Sequence, residues 1–150
     1  MRVLLIIVYL LLTMVANAAD LFAESHQHEH QAEILSLDHG KKWAVDAPLR
    51  QGMGNIRASA IRTLALPREE GLPQLAKTIA EESDRIIREC RLPSAADATL
   101  HTFLAKLLEH GPKLVAASST DERNQSLMVI VEVLNHYGHY FDHPDWQDIR

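Results

Sequence analysis

The stretch "DAPLRQGMGNIRASAIRTLAL", residues 46–66, decides the fold class. Leu49, Met53, Ile56, Ala60 and Leu64 recur at intervals of three and four, which lays one apolar stripe along a helix of 3.6 residues per turn. Asp46 has the side chain of an N-cap, and Pro48 falls in the first turn, where its missing N–H removes no bond. A first helix starting at Asp46 is expected.

Downstream, "PREEGLP", residues 67–73, brackets Gly71 between two prolines and breaks that helix. A second helix carries Leu72, Leu75, Ile79, Ser83, Ile86 and Cys90 on one seam and ends at Pro93. Ser94 to Asp97 has the form of a capping box, and Leu100, Phe103, Leu104, Leu107 and Leu108 supply the buried face of a third helix. Gly111-Pro112 either bends that helix into "KLVAA" or splits it in two. A second capping box, Ser119 to Glu122, opens a fourth helix with Leu127, Val131, Leu134 and Tyr137 on its stripe. Gly138 offers it a C-terminal stop. No strand is expected. Short connections make consecutive helices antiparallel neighbours, so residues 46–150 are expected to form an all-α, up-down-up-down four-helix bundle.

Upstream, the chain opens "MRVLLIIVYLLLTMVANAAD". Arg2, the apolar run Val3 to Leu12 and the small-x-small Ala16-Asn17-Ala18 have the order of a signal peptide, residues 1–18. The apolar run is shorter than the ~20 residues of a spanning helix, so cleavage is expected rather than anchoring. The expected location is periplasmic or secreted, with no membrane association after cleavage. Residues 19–45 lack sustained periodicity and are rich in Glu, Gln, His and Ser, so a flexible, His-rich lead-in is expected, with Trp43 docking on the bundle.

The formal net charge of −5 becomes more negative once Arg2 is lost, which disfavours nucleic acid and anionic membrane surfaces as partners. Cys90 is the chain's one cysteine, so no intramolecular disulfide can form and the fold must rest on packing.

The nine histidines carry the chemistry. In "HQHEH", alternation places His26, His28 and His30 on one side of an extended backbone, with Glu24 and Glu29 as auxiliary oxygens; the plain alternative is a solubilising, pH-sensitive linker. In an up-down-up-down bundle, one end gathers Met53, Cys90, His101, His136 and His139. Thioether, thiolate and imidazole suit copper first and zinc next. Each also has an ordinary reading: Met53 as core filler, Cys90 as an inert buried thiol, His101 as a half-buried histidine bonded to a carbonyl. If the fourth helix runs to Phe141, His136 and His139 are i,i+3 neighbours able to share one metal. If Gly138 ends it, "HYFDHPDW" is an aromatic tail whose Phe141, His143 and Trp146 fold back over the same end.

The chain contains no G-x-S-x-G, H-E-x-x-H, C-x-x-C or C-x-x-C-H, and "GMGNIR" lacks the third glycine of a dinucleotide loop. Cys90 with His101 is the one nucleophilic pair the topology would allow, without a third orienting group. Catalysis is not expected.

The stretches "KKWAVDAPLRQGMGNIR" and "ECRLPSAADATLHTFLAKLLEHG" resemble a family of small exported proteobacterial helical proteins that carry a DnrO-like label. Trp43, Asp46, Leu49, Arg50, Met53 and Arg57, then Cys90, Leu92, Pro93, Asp97, Leu100 and His101, carry the resemblance. It implies an exported helical protein and no particular activity. A methionine early in the first helix and a histidine late in the fourth are also similar to soluble b-type cytochromes of the four-helix-bundle class. That resemblance implies haem held by Met53 with His136 or His139. The leading expectation is an exported protein that binds or buffers copper or zinc. An accessory bundle that works through a periplasmic protein partner is the first alternative, and a haem electron carrier the second.

Overall fold

The computed structural model describes residues 35–67 and 69–150. Its elements are β1 (Trp43–Ala44), α1 (Ala47–Ala65), α2 (Leu72–Glu89), α3 (Ser94–His110), the single turn α4 (Lys113–Ala116), α5 (Thr120–Tyr140) and β2 (Phe141–Asp142). Four long helices therefore make a helical bundle among the described residues. The expected signal peptide, residues 1–18, and most of the lead-in lie outside them.

Local chemistry sets the helix ends. Asp46 caps α1 by accepting a 2.9 Å bond from the Leu49 N–H. Ser119 caps α5 by accepting from the Glu122 N–H at 3.2 Å. The Glu122 carboxylate does not return the bond to Ser119; it accepts from the backbone and hydroxyl of Ser118. The expected box at Ser94 does not form. Pro93 is the N-cap residue there and Ser94 already lies inside the helix, so its hydroxyl is one position too far in to cap. Gly111-Pro112 ends α3, and "KLVA" is a separate turn.

α1 and α2 run in opposite directions. Cys90, just past α2, meets Asp46, just before α1, and the Thr63 hydroxyl near the end of α1 donates to the Gly71 carbonyl at the start of α2. The helices approach closely at Gly52, where a Cβ would collide with the Ile86 side chain. α3 packs against α5, again reversed: Phe103, near the middle of α3, meets Tyr137 and Tyr140 near the end of α5, with ring centres 6.1 and 5.8 Å apart, and His110 at the end of α3 lies beside Glu122 and Ser126 in the first turns of α5. α4 covers α2 and α5 at the other end.

The buried stripe of α2 is Leu72, Leu75, Ile79, Ser83 and Ile86, as its spacing predicts. In α1 the stripe is Leu49, Met53, Ile56 and Ala60, and Leu64 is 43% exposed. In α5 the expected stripe holds at Leu134 and Tyr137 and shifts in the first half of the helix. Ser126, Ile130, Val133, Leu134 and Tyr137 face the core, and Leu127 and Val131 lie at its edge.

Two short strands, absent from the sequence-based expectation, tie the ends of the bundle together. β1 and β2 pair in parallel, Trp43 with Phe141 and Ala44 with Asp142. Ordered contacts also begin earlier than Asp46: the Trp43 indole N–H donates to the Ser36 carbonyl at 2.7 Å, and Ser36 meets the Thr99 hydroxyl. No helix among the described residues is long and apolar enough to cross a membrane.

Candidate functional site

The end of the bundle formed by the start of α1, the end of α2, the first half of α3 and the end of α5 gathers polar and aromatic groups. The Cys90 thiol donates to Asp46 Oδ1 at 3.3 Å, and the same carboxylate accepts from the Arg91 N–H at 2.7 Å as well as from Leu49. Burial raises the Asp46 pKa, but the bonds from Arg91, Leu49 and Cys90 outweigh it, so its carboxyl sits below the ordinary value. For Cys90 every major influence acts upward. Desolvation, donation to Asp46 and the negative charges of Asp46 and Asp97 push the thiol to about 12. A thiol that high is protonated at neutral pH and is a poor nucleophile.

Deeper at this end lies Tyr137, fully buried, with its hydroxyl 3.1 Å from His143 Nδ1. Burial pushes the Tyr137 phenol above its ordinary value of 10.0, with Cys90 and Asp46 acting in the same direction. His143 is pushed the other way: desolvation, then Arg50 and Arg57, lower its pKa and favour the neutral ring. Tyr137 stacks on Phe141 at 4.9 Å and meets Trp146 edge-on at 4.7 Å. Trp146 donates its indole N–H to the Leu134 carbonyl and lies under the Arg57 guanidinium. The tail is then held by Arg57 to the Gln147 carbonyl and by two bonds between Asn135 and Ile149.

The structure does not bring Met53, Cys90 and His101 together as one ligand set. Met53 has no exposed surface and is part of the hydrophobic core. Cys90 is committed to Asp46. His101 points outward, with 60% of its side chain exposed, and pairs with Asp97 one turn earlier at 3.5 Å. Cys90 and His101 therefore do not form a nucleophilic pair. Met53 and the late histidines do not meet either, since His136 and His139 lie on the exposed face of α5 while Met53 is buried inside. A shared haem would need both on one side.

His136 and His139 are brought together. α5 continues through Gly138 to Tyr140, so the expected stop there is not made. Gly138 is needed for another reason: Trp146 packs against it, where a Cβ would collide with the indole. With the helix unbroken, the two imidazoles stand one turn apart with ring centres 5.8 Å apart and planes inclined by 37°. They border an open groove of about 690 Å³ whose lining includes Leu64, Met128, Glu132 and Arg150. Among the described residues, no group of three or more His, Cys, Asp or Glu side chains is arranged to hold a metal ion. His26, His28 and His30 lie outside the described residues.

Three residues at the enclosed end escaped the sequence reading as a unit: Asp46 as the partner of Cys90, and Tyr137 with His143. The N-cap role of Asp46 was legible, and its second role depends on a contact across the α1–α2 pair. No protein-family model, curated protein or solved structure matches the chain.

Proposed function

We propose that the protein is an exported transition-metal binder, for copper or zinc, whose structured ligands are His136 and His139 and whose second binding element is the tract His26, His28 and His30. One observation carries this reading: the His136 and His139 rings stand 5.8 Å apart on the exposed face of one helix. With metal–nitrogen bonds of about 2.0 Å, two imidazoles on one tetrahedral ion have ring centres roughly 5 Å apart, so small side-chain rotations suffice. Imidazole serves both copper and zinc. Met53, Cys90 and His101 are left out of the ligand set because each is satisfied elsewhere. The up-down-up-down order of the helices belongs to the same proposal, as do a His-rich lead-in and a cleaved signal that would deliver the protein to the periplasm or the exterior. The reading includes no catalytic step.

The test is metal content by mass spectrometry and affinity by competition titration, on protein purified without chelators. His136→Ala with His139→Ala is expected to weaken binding at the structured site at least tenfold, with helicity unchanged. Unchanged zinc and copper affinity in that variant would sink the assignment. Substituting His26, His28 and His30 is expected to remove a separate, weaker class of sites, since ordering such a segment costs conformational entropy.

A further inference from the structure

The metal reading leaves His136 and His139 with two ligands where a closed tetrahedral site takes four. Among the described residues nothing else joins them as a ligand group. The surface beside them is also incomplete as a free surface. Met128 is 65% exposed and Leu64 43% exposed, and both line the groove that the two histidines border. Two exposed apolar side chains lining one groove give a partner apolar surface to cover.

The charges on the groove are self-complementary. Glu132 and Arg150 line the same patch with opposite sign. In a twofold contact each residue i meets j while j meets i, so one patch can satisfy itself. Setting α5 of one copy against α5 of another around such an axis would place Arg150 against the partner's Glu132 and cover Met128 and Leu64. It would also bring four imidazoles to one point. A heterologous partner would have to supply each of these features separately, whereas a second copy of this chain supplies all of them.

We propose that the ion held by His136 and His139 joins two copies of this chain across the α5 face, with both histidines of each copy completing one four-imidazole site. The proposal rests on the metal reading above and adds its stoichiometry and partner.

Sedimentation velocity tests it on the exported chain with His26, His28 and His30 replaced by alanine, titrated with zinc sulfate. The expected result is a shift from monomer to dimer complete at half an equivalent of zinc per chain. It is reversed by a chelator and lost in His136→Ala/His139→Ala. Met128→Glu, an exposed position that leaves folding intact, is expected to weaken the dimer at least tenfold while histidine-dependent zinc binding persists on the monomer. Zinc bound one to one on a monomer, dependent on the two histidines, would overturn the dimer and leave the metal reading standing. A zinc affinity indifferent to both histidines would overturn both. A dimer unaffected by Met128→Glu would overturn the assigned face.

Discussion

His136 and Tyr137 are sequence neighbours, yet they belong to opposite regions of the molecule. On the inner side of α5, Tyr137, Phe141, Trp146 and His143 are packed ring against ring, and the nearby Asp46 and Cys90 have bonded to each other. On the outer side, His136 and His139 stand exposed beside a partly apolar groove. The enclosed end holds residue types that invite a chemical reading, a cysteine, a tyrosine and a histidine. Their potential is spent on holding the fold. The open face holds plain surface histidines, and these retain free ligand capacity. The difference teaches that ligand-type residues are informative when they are near each other and uncommitted, and burial tends to commit them.

The largest expected effect falls on the enclosed end. Phe141→Ala removes a fully buried ring that Tyr137 stacks on and that anchors β2 to β1. It is expected to cost about 3–5 kcal/mol in denaturant unfolding. A cost below about 1 kcal/mol would mean that the aromatic end is loosely packed and that the contrast is false.

Asp46→Ala comes next. It removes the α1 cap and the acceptor for Cys90 and Arg91 together, and loss of the cap alone is expected to cost about 1 kcal/mol. It also removes two of the influences that hold the thiol near 12. Alkylation of Cys90 by iodoacetamide at pH 8 is therefore expected to be slow in the parent and faster in the variant. Equal rates would show that Asp46 does not govern the thiol.

A smaller effect is expected from pH. Desolvation, with Arg50 and Arg57, holds His143 below its ordinary 6.5 in the folded chain. Between 6.5 and the lower folded value the unfolded chain binds more protons, so the contribution of the neutral ring is complete above pH 6.5 and is lost as pH falls through the folded value. The melting temperature is expected to fall on acidification through this window, and His143→Gln should flatten the slope. Asp46 does not interfere, because its carboxyl titrates below 3.8.

The smallest effect belongs to the open face. Without metal, His136→Ala with His139→Ala should change stability by no more than about 0.5 kcal/mol, as surface substitutions do. A larger loss in chelator-treated protein would show that the pair has a packing role, and the comparison would collapse.

Much of the fold was legible because local patterns are local physics. In α2 the large apolar residues Leu72, Leu75, Ile79 and Ile86 recur at helical spacing, and Ile87, 53% exposed, is the one large apolar side chain off that stripe. In α5 apolar residues occupy a wide arc, so Leu127 and Val131 were as plausible as Ile130 and Val133, and the buried Ser126 gave no signal of its own. Gly138 illustrates the limit. A glycine near a helix end favours a stop on local grounds, and here the deciding neighbour, Trp146, arrives from the folded-back tail. The spacing of His136 and His139 could be read as soon as the helix was known to continue. The bond between Cys90 and Asp46 could not, because it joins residues flanking different helices, far apart in the chain.

The pairing of Trp43 with Phe141 joins the segment just before α1 to the segment just after α5. The α1–α2 and α3–α5 contacts can form within their own hairpins, whereas this closure spans about a hundred residues and must wait for the slowest loop to find its ends. A chain emerging N-terminus first from a ribosome holds Trp43 without its strand partner until Phe141 has followed. Clipping the tail after Tyr140 should therefore leave helices that form on time and an end that never seals. On this topology the β1–β2 pairing is expected to close last, with two residues on each strand joining the start of the bundle to its end.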